Sequence, residues 1–104
     1  MAHTNLANAY RKTGRLDEAI REFRRGLALP PEHAFTHDRL GTALLDKGLV
    51  DESIQEFQKA IALDSRYASA HRNLWFAYNK KGMVAEALDS ARKAVEIDPK
   101  FAEA

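Results

Sequence analysis

One short phrase returns along the chain at a fixed distance. GRLDEAI occupies residues 14–20, GLVDESI residues 48–54 and GMVAEAL residues 82–88, a spacing of 34 residues each time. This period constrains the fold more than any figure of composition. Each copy is one supersecondary unit too small to bury its own apolar face, and stacked neighbours bury it together. Laid on itself at that offset, the chain has four columns identical in all three copies: Leu6, Leu40 and Leu74; Ala9, Ala43 and Ala77; Gly14, Gly48 and Gly82; Glu18, Glu52 and Glu86. Ordinary residue frequencies give fewer than about one such column by chance.

Within a copy the apolar spacing is helical. Leu6, Ala9 and Tyr10 fall at i, i+3, i+4, and Ile20, Phe23 and Leu27 at i, i+3, i+7, each a stripe on one helix face. Gly14 follows the first stripe, as a C-terminal glycine does. Lys12, Lys47 and Lys80 sit in last turns and Asp17-Glu18 and Asp51-Glu52 in first turns, where their charges suit the helix dipole. Pro30-Pro31 and Asp98-Pro99 stop second helices. The third copy has Ala85 in place of the opening Asp, which weakens that helix start. The pattern predicts six helices, over about 2–13, 17–29, 34–47, 51–63, 68–81 and 85–97.

Composition narrows the function classes. The net charge of +1 gives no bulk attraction to nucleic acid or an anionic membrane. The absence of cysteine removes disulfide and thiolate chemistry and leaves the redox compartment open. No apolar run is long enough to cross a bilayer, and MAHTNLANAY has no apolar core of signal-peptide length. A cytoplasmic location is favoured.

The stretches NLANAYRKTGRLDEAIREFRRGLALPP, RLGTALLDKGLVDESIQEFQKAIALDS and NLWFAYNKKGMVAEALDSARKAVEIDP resemble tetratricopeptide (TPR) repeats over nearly the whole chain. The resemblance implies an all-α fold: an α-solenoid of three helix-turn-helix repeats, about 1–33, 34–67 and 68–101, in a right-handed superhelix, with 102–104 opening a further repeat. Ala7 and Gly41 are expected where the two helices of a repeat approach closely, against Ala19 and Gly26 or Ser53 and Ala60. Tyr10, Phe23, Leu44, Phe57 and Tyr78 are expected to fill the space between neighbours. In the third copy Trp75 stands at the Ala7 and Gly41 position, and Ala91 at the Phe23 and Phe57 position. That reads as a volume exchange.

The family resemblance also implies non-catalytic binding of a protein or peptide, extended or helical, in a concave groove lined by first helices. By register the lining is Thr4, Asn8, Arg11 and Lys12; then Phe35, Asp38, Thr42, Leu45 and Asp46; then Ser69, Arg72, Phe76, Asn79 and Lys80. Phe35, Leu45 and Phe76 serve as anchors, Arg11, Lys12, Arg72 and Lys80 hold acidic groups, and Asp38 and Asp46 hold basic ones. Some TPR domains clamp a chaperone's C-terminal carboxylate with a Lys/Asn/Arg set. Asn8 and Arg72 match it, whereas Thr4, Arg39 and Phe76 depart from it.

Other chemistry finds little support. His33 and His37 are four residues apart, but His37 recurs in register as His71, which reads as structural rather than metal-binding. The carboxylates read as solvated charges at helix starts and on exposed faces, no nucleophile–base spacing is present, and no cofactor is implied. Arg21, Arg24 and Arg25 are interleaved with Glu18 and Glu22, the pattern of a salt-bridged helix surface rather than a nucleic-acid patch. Leu88, Val95, Ile97 and Phe101 lie near the array's end with no polar cap after them. An alternative function is therefore self-association, as an assembly segment excised from a longer array whose ends form a homo-oligomer.

Overall fold

The computed structural model describes residues 2–100, and the side chains of residues 5–100. Six helices follow one another: α1 (Ala2–Lys12), α2 (Leu16–Leu27), α3 (Ala34–Lys47), α4 (Val50–Leu63), α5 (Ala68–Lys80) and α6 (Val84–Ile97). There is no strand among the described residues. The second helices start one residue earlier than the sequence pattern predicts. The carbonyls of Arg15, Leu49 and Met83 already accept helical bonds, each 3.0 Å, from the N–H groups of Ala19, Ser53 and Ala87. In α2 and α4 this places Asp17-Glu18 and Asp51-Glu52 within the first turn, where the dipole favours them. α2 ends two residues early, because its last bonds tighten into Leu29 N–H to Gly26 C=O.

The turn inside each hairpin is built the same way. Gly14, Gly48 and Gly82 have φ of 79°, 91° and 75°, a left-handed conformation that a Cβ resists. The residue after each glycine then donates its N–H back to the preceding helix: Arg15 to Tyr10 at 2.8 Å, Leu49 to Leu44 at 2.9 Å and Met83 to Tyr78 at 2.9 Å. This is the Schellman closure, which satisfies otherwise orphaned carbonyls and reverses the chain.

Each hairpin packs on itself, and the first helix of the next hairpin packs on the second helix of the last. Ala7, Ala19 and Phe23 are buried together with Leu40, Ala43 and Leu44 of α3. Ile54 and Phe57 of α4 are buried with Leu74 and Ala77 of α5. Ion pairs repeat across these junctions with the sequence period: Lys47 to Asp17, and Lys81 to Asp51.

The close approach inside the second hairpin is made by a ring. A Cβ added to Gly41 would lie 2.6–3.0 Å from three atoms of the Phe57 ring. Phe57, rather than the expected Ser53 or Ala60, is thus the nearest neighbour of that missing methyl. Phe57 is fully buried, so its ring has nowhere to retreat. Gly41→Ala is expected to destabilise the protein by about 1–3 kcal/mol through overpacking, read by urea denaturation. In the third hairpin the same two columns hold Trp75 and Ala91, sixteen positions apart as Gly41 and Phe57 are, the pairing that the volume exchange expects. Trp75 is half-buried and packs edge-on against Phe76, centroids 4.5 Å apart.

Candidate functional site

The first helices α1, α3 and α5 lie side by side, and side chains bridge them. Arg11 Nε donates to Asp46 Oδ2 at 3.0 Å between α1 and α3. Ser69 Oγ and Asn73 Nδ2 of α5 donate to the two carboxylate oxygens of Asp38 on α3, at 3.0 and 2.9 Å. These contacts join Arg11, Asp38, Asp46 and Ser69, four of the residues chosen from the sequence, across the first helices.

Their fates differ. Asp38 is fully buried and both its oxygens are occupied, so it does not present a carboxylate to a basic ligand. That expectation is corrected: Asp38 ties α3 to α5. Thr42 donates to the Asp38 carbonyl at 2.9 Å, a local bond within α3. Leu45 packs against the Ile54–Phe57 cluster. Asn8 is half-buried, while Lys12, Asn79 and Lys80 are exposed. Phe35 is half-buried with the Arg39 guanidinium 4.9 Å over its ring. Phe76 is 40% exposed, with Arg72 5.3 Å over its ring. The two pairs have the same i, i+4 construction on neighbouring first helices. The Thr4 side chain lies outside the described residues, as do Phe101 and residues 102–104.

Burial pushes the Asp38 carboxyl above its ordinary 3.8, although Asn73 and Ser69 pull the other way. The nearby Asp38 charge adds to burial in raising Tyr67. A carboxyl raised in the folded state contributes stability that is complete below about 3.8 and is lost as pH rises through its folded value. Urea denaturation of the wild type should therefore show stability relative to Asp38→Asn increasing as pH falls toward 3.8. A flat difference would mean that Asp38 titrates as it does unfolded.

Three carboxylates are buried where solvated charge was expected. Glu56 is 6% exposed and accepts from His37 Nδ1 at 2.8 Å and from Lys59 at 3.2 Å. Glu22 is 8% exposed and pairs with Arg25 at 2.7 Å. Asp38 is the third. The signal was present: Glu22 and Glu56 stand three residues after Ala19 and Ser53, in the column Ala87–Ser90 of α6, on the face that turns inward. His37 and His71 are both buried. His71 Nε2 lies 3.0 Å from the Ser65 carbonyl, and Ser90 stands at the glutamate's position in its hairpin. Arg24 pairs with Glu52 at 3.6 Å, so two of the three clustered arginines on α2 are neutralised by neighbours.

Two hollows lie elsewhere. A cleft of about 430 Å3 runs between α4 and α6, with His71, Leu74 and Tyr78 at its base. A smaller one, about 290 Å3, lies beside Glu32, His37 and Lys59. Neither is lined by the residues that the sequence assigns to the groove. No helix among the described residues is long and apolar enough to cross a membrane.

A family model for the tetratricopeptide repeat matches residues 4–68 and again residues 39–100. No match was found among curated proteins. Among solved structures, MamA superposes with a TM-score of 0.91 at 27% identity over 95% of this chain and 58% of that one. This chain therefore spans less than two thirds of MamA. The first TPR of Spaghetti (RPAP3), bound to the HSP90 peptide SRMEEVD, gives 0.92 at 21% identity over 94% and 78% of the two chains. The Arabidopsis OM64 TPR domain gives 0.93 at 19% identity over 95% and 82%. The hairpins form the helical solenoid of those folds, and the chain belongs to the tetratricopeptide repeat family.

Proposed function

We propose that the chain is a non-catalytic scaffold that holds an extended peptide or a partner helix along its first helices. The observation that carries this is Phe76, an aromatic ring left 40% exposed on α5 beneath a guanidinium. Such a ring suits an interface anchor. Among the residues assigned to this surface, Lys12 and Lys80 are basic and exposed. Asp38 is buried and Asp46 is matched by Arg11. The favoured ligand therefore places an apolar or aromatic residue beside carboxylates. The Spaghetti domain's bound peptide supports peptide binding by this fold. Thr4, Arg39 and Phe76 depart from the chaperone-clamp set, which favours a different acidic sequence.

Peptide display against the immobilised chain, followed by calorimetry on the selected peptides, tests the proposal. Replacing Arg72 and Phe76 by Ala is expected to weaken binding at least about tenfold, roughly 1.4 kcal/mol, with the oligomeric state unchanged. Unaltered affinity in that variant would refute the groove reading.

A second reading is self-association through the ends of the array. It is favoured by Val84 and Leu88 on α6, which are 60% and 58% exposed.

A further inference from the structure

The second and third hairpins differ at a buried polar position, on the side of the molecule away from the residues assigned to the groove. In the second hairpin the Glu56 carboxylate is buried between two donors, His37 Nδ1 at 2.8 Å and Lys59 Nζ at 3.2 Å. One period on, the same three columns hold His71, Ser90 and Lys93. Both donors are repeated, and a short hydroxyl stands in place of the carboxylate. The cleft of about 430 Å3 between α4 and α6 coincides with this change, and His71, Ser90 and Lys93 are all in its wall.

His71 is 5% exposed. The Ser65 carbonyl can only accept, so His71 Nε2, 3.0 Å from it, carries a proton. The ring's other nitrogen, Nδ1, is the one with which His37 holds Glu56, and in His71 it has no hydrogen-bond partner among the described residues. Lys93 rests on Asp89, one turn back, at 3.2 Å, and is 54% exposed. Such an exposed pair is weak, so the ammonium exchanges partners readily. Glu86 and Asp89 also border the cleft, but both are exposed, and water and salt screen their repulsion. Ile61 and Leu74 supply an apolar wall. We propose that this cleft binds a small carboxylic acid with a short apolar body, its carboxylate lying between His71 and Lys93 as that of Glu56 lies between His37 and Lys59. The volume suits a small molecule. A buried histidine at the base favours a free acid, which enters whole, over a side chain tethered to a partner's backbone. The site is independent of polypeptide binding along the first helices.

A carboxylate only accepts, so Nδ1 must carry a proton to hold it. Binding therefore takes up a proton, and affinity rises as pH falls through the range in which imidazole titrates, about pH 8 to 5. The other titratable groups on the wall are Tyr78 of α5 and Glu86, Asp89 and Lys93 of α6, while α4 contributes the uncharged Gln58 and Ile61. Phenols, carboxylates and ammonium groups ordinarily titrate outside that range.

Titration with sodium benzoate at constant ionic strength, followed by amide chemical shifts, tests the proposal. Saturable shifts are expected at His71, Ser90 and Lys93, with affinity about tenfold higher at pH 6 than at pH 8, the effect of one linked proton. The neutral analogue benzamide should bind several-fold more weakly. Ser90→Glu supplies the carboxylate from within the chain and should abolish the benzoate shifts, whereas Ser90→Ala should keep them. If circular dichroism shows that Ser90→Glu does not fold, Lys93→Gln replaces it and should weaken benzoate several-fold at both pH values. His71→Gln should remove the pH dependence. Absence of saturable shifts at His71 and Ser90, equal binding of benzamide, or undiminished benzoate shifts in a folded Ser90→Glu would overturn the site. Tighter binding of an amide-capped glutamate than of benzoate would overturn the assignment to a free acid in favour of a partner's side chain.

Discussion

Phe57→Ala is expected to lower stability by about 3–5 kcal/mol, the largest effect of any single substitution considered. The ring is fully buried. It joins the Gly41 backbone inside its own hairpin to Leu74 and Ala77 of the next. Its loss opens a cavity at two packing surfaces at once, with little freedom to collapse. The third hairpin carries the reverse combination in the same columns, Trp75 and Ala91. The double variant Gly41→Trp, Phe57→Ala should therefore be more stable than the sum of its single substitutions requires. The coupling should be at the upper end of the roughly 0.5–3 kcal/mol seen between contacting residues. Strict additivity in urea denaturation would mean that Trp75 and Ala91 are not exchanged volumes.

Glu56→Ala should cost about 1.5–3 kcal/mol, the loss of a hydrogen bond to a charged acceptor. His37 Nδ1 lies 2.8 Å from that carboxylate, and both side chains are buried, so water does not readily replace the lost partner. Glu56→Gln keeps an acceptor of the same length and should retain the larger part of the stability. If the two variants are equally destabilised, the carboxylate's charge rather than its hydrogen bond holds α3 to α4.

The architecture was legible because its signals were redundant. The period, the turn glycines and the apolar stripes each predict six helices. Even the one-residue displacement of α2, α4 and α6 has a simple cause, since backbone carbonyls at Arg15, Leu49 and Met83 start those helices without a side-chain cap. The surface chemistry was legible only in part. Register correctly predicts which helix carries Asp38, but not that Ser69 and Asn73 would turn toward it and remove it from solvent. Likewise, Glu56 reads as an exposed charge unless its place in the Ser53–Ala60 stripe is weighed above its residue type. A charge is counted as solvated by default because burying it is costly. Here a histidine from α3 and a lysine one turn along α4 offset that cost, and the histidine pairing is set by three-dimensional contact rather than by spacing along one helix.

The central claim is that the layer of first helices, around Phe76, is where this chain takes hold of another polypeptide. Amide chemical-shift mapping with a display-selected acidic peptide tests it most directly. The account predicts perturbations concentrated at Asn8, Thr42, Phe76 and Asn79 on α1, α3 and α5. Perturbations confined instead to α4 and α6, around Gln58, Glu86 and Ser90, would contradict it.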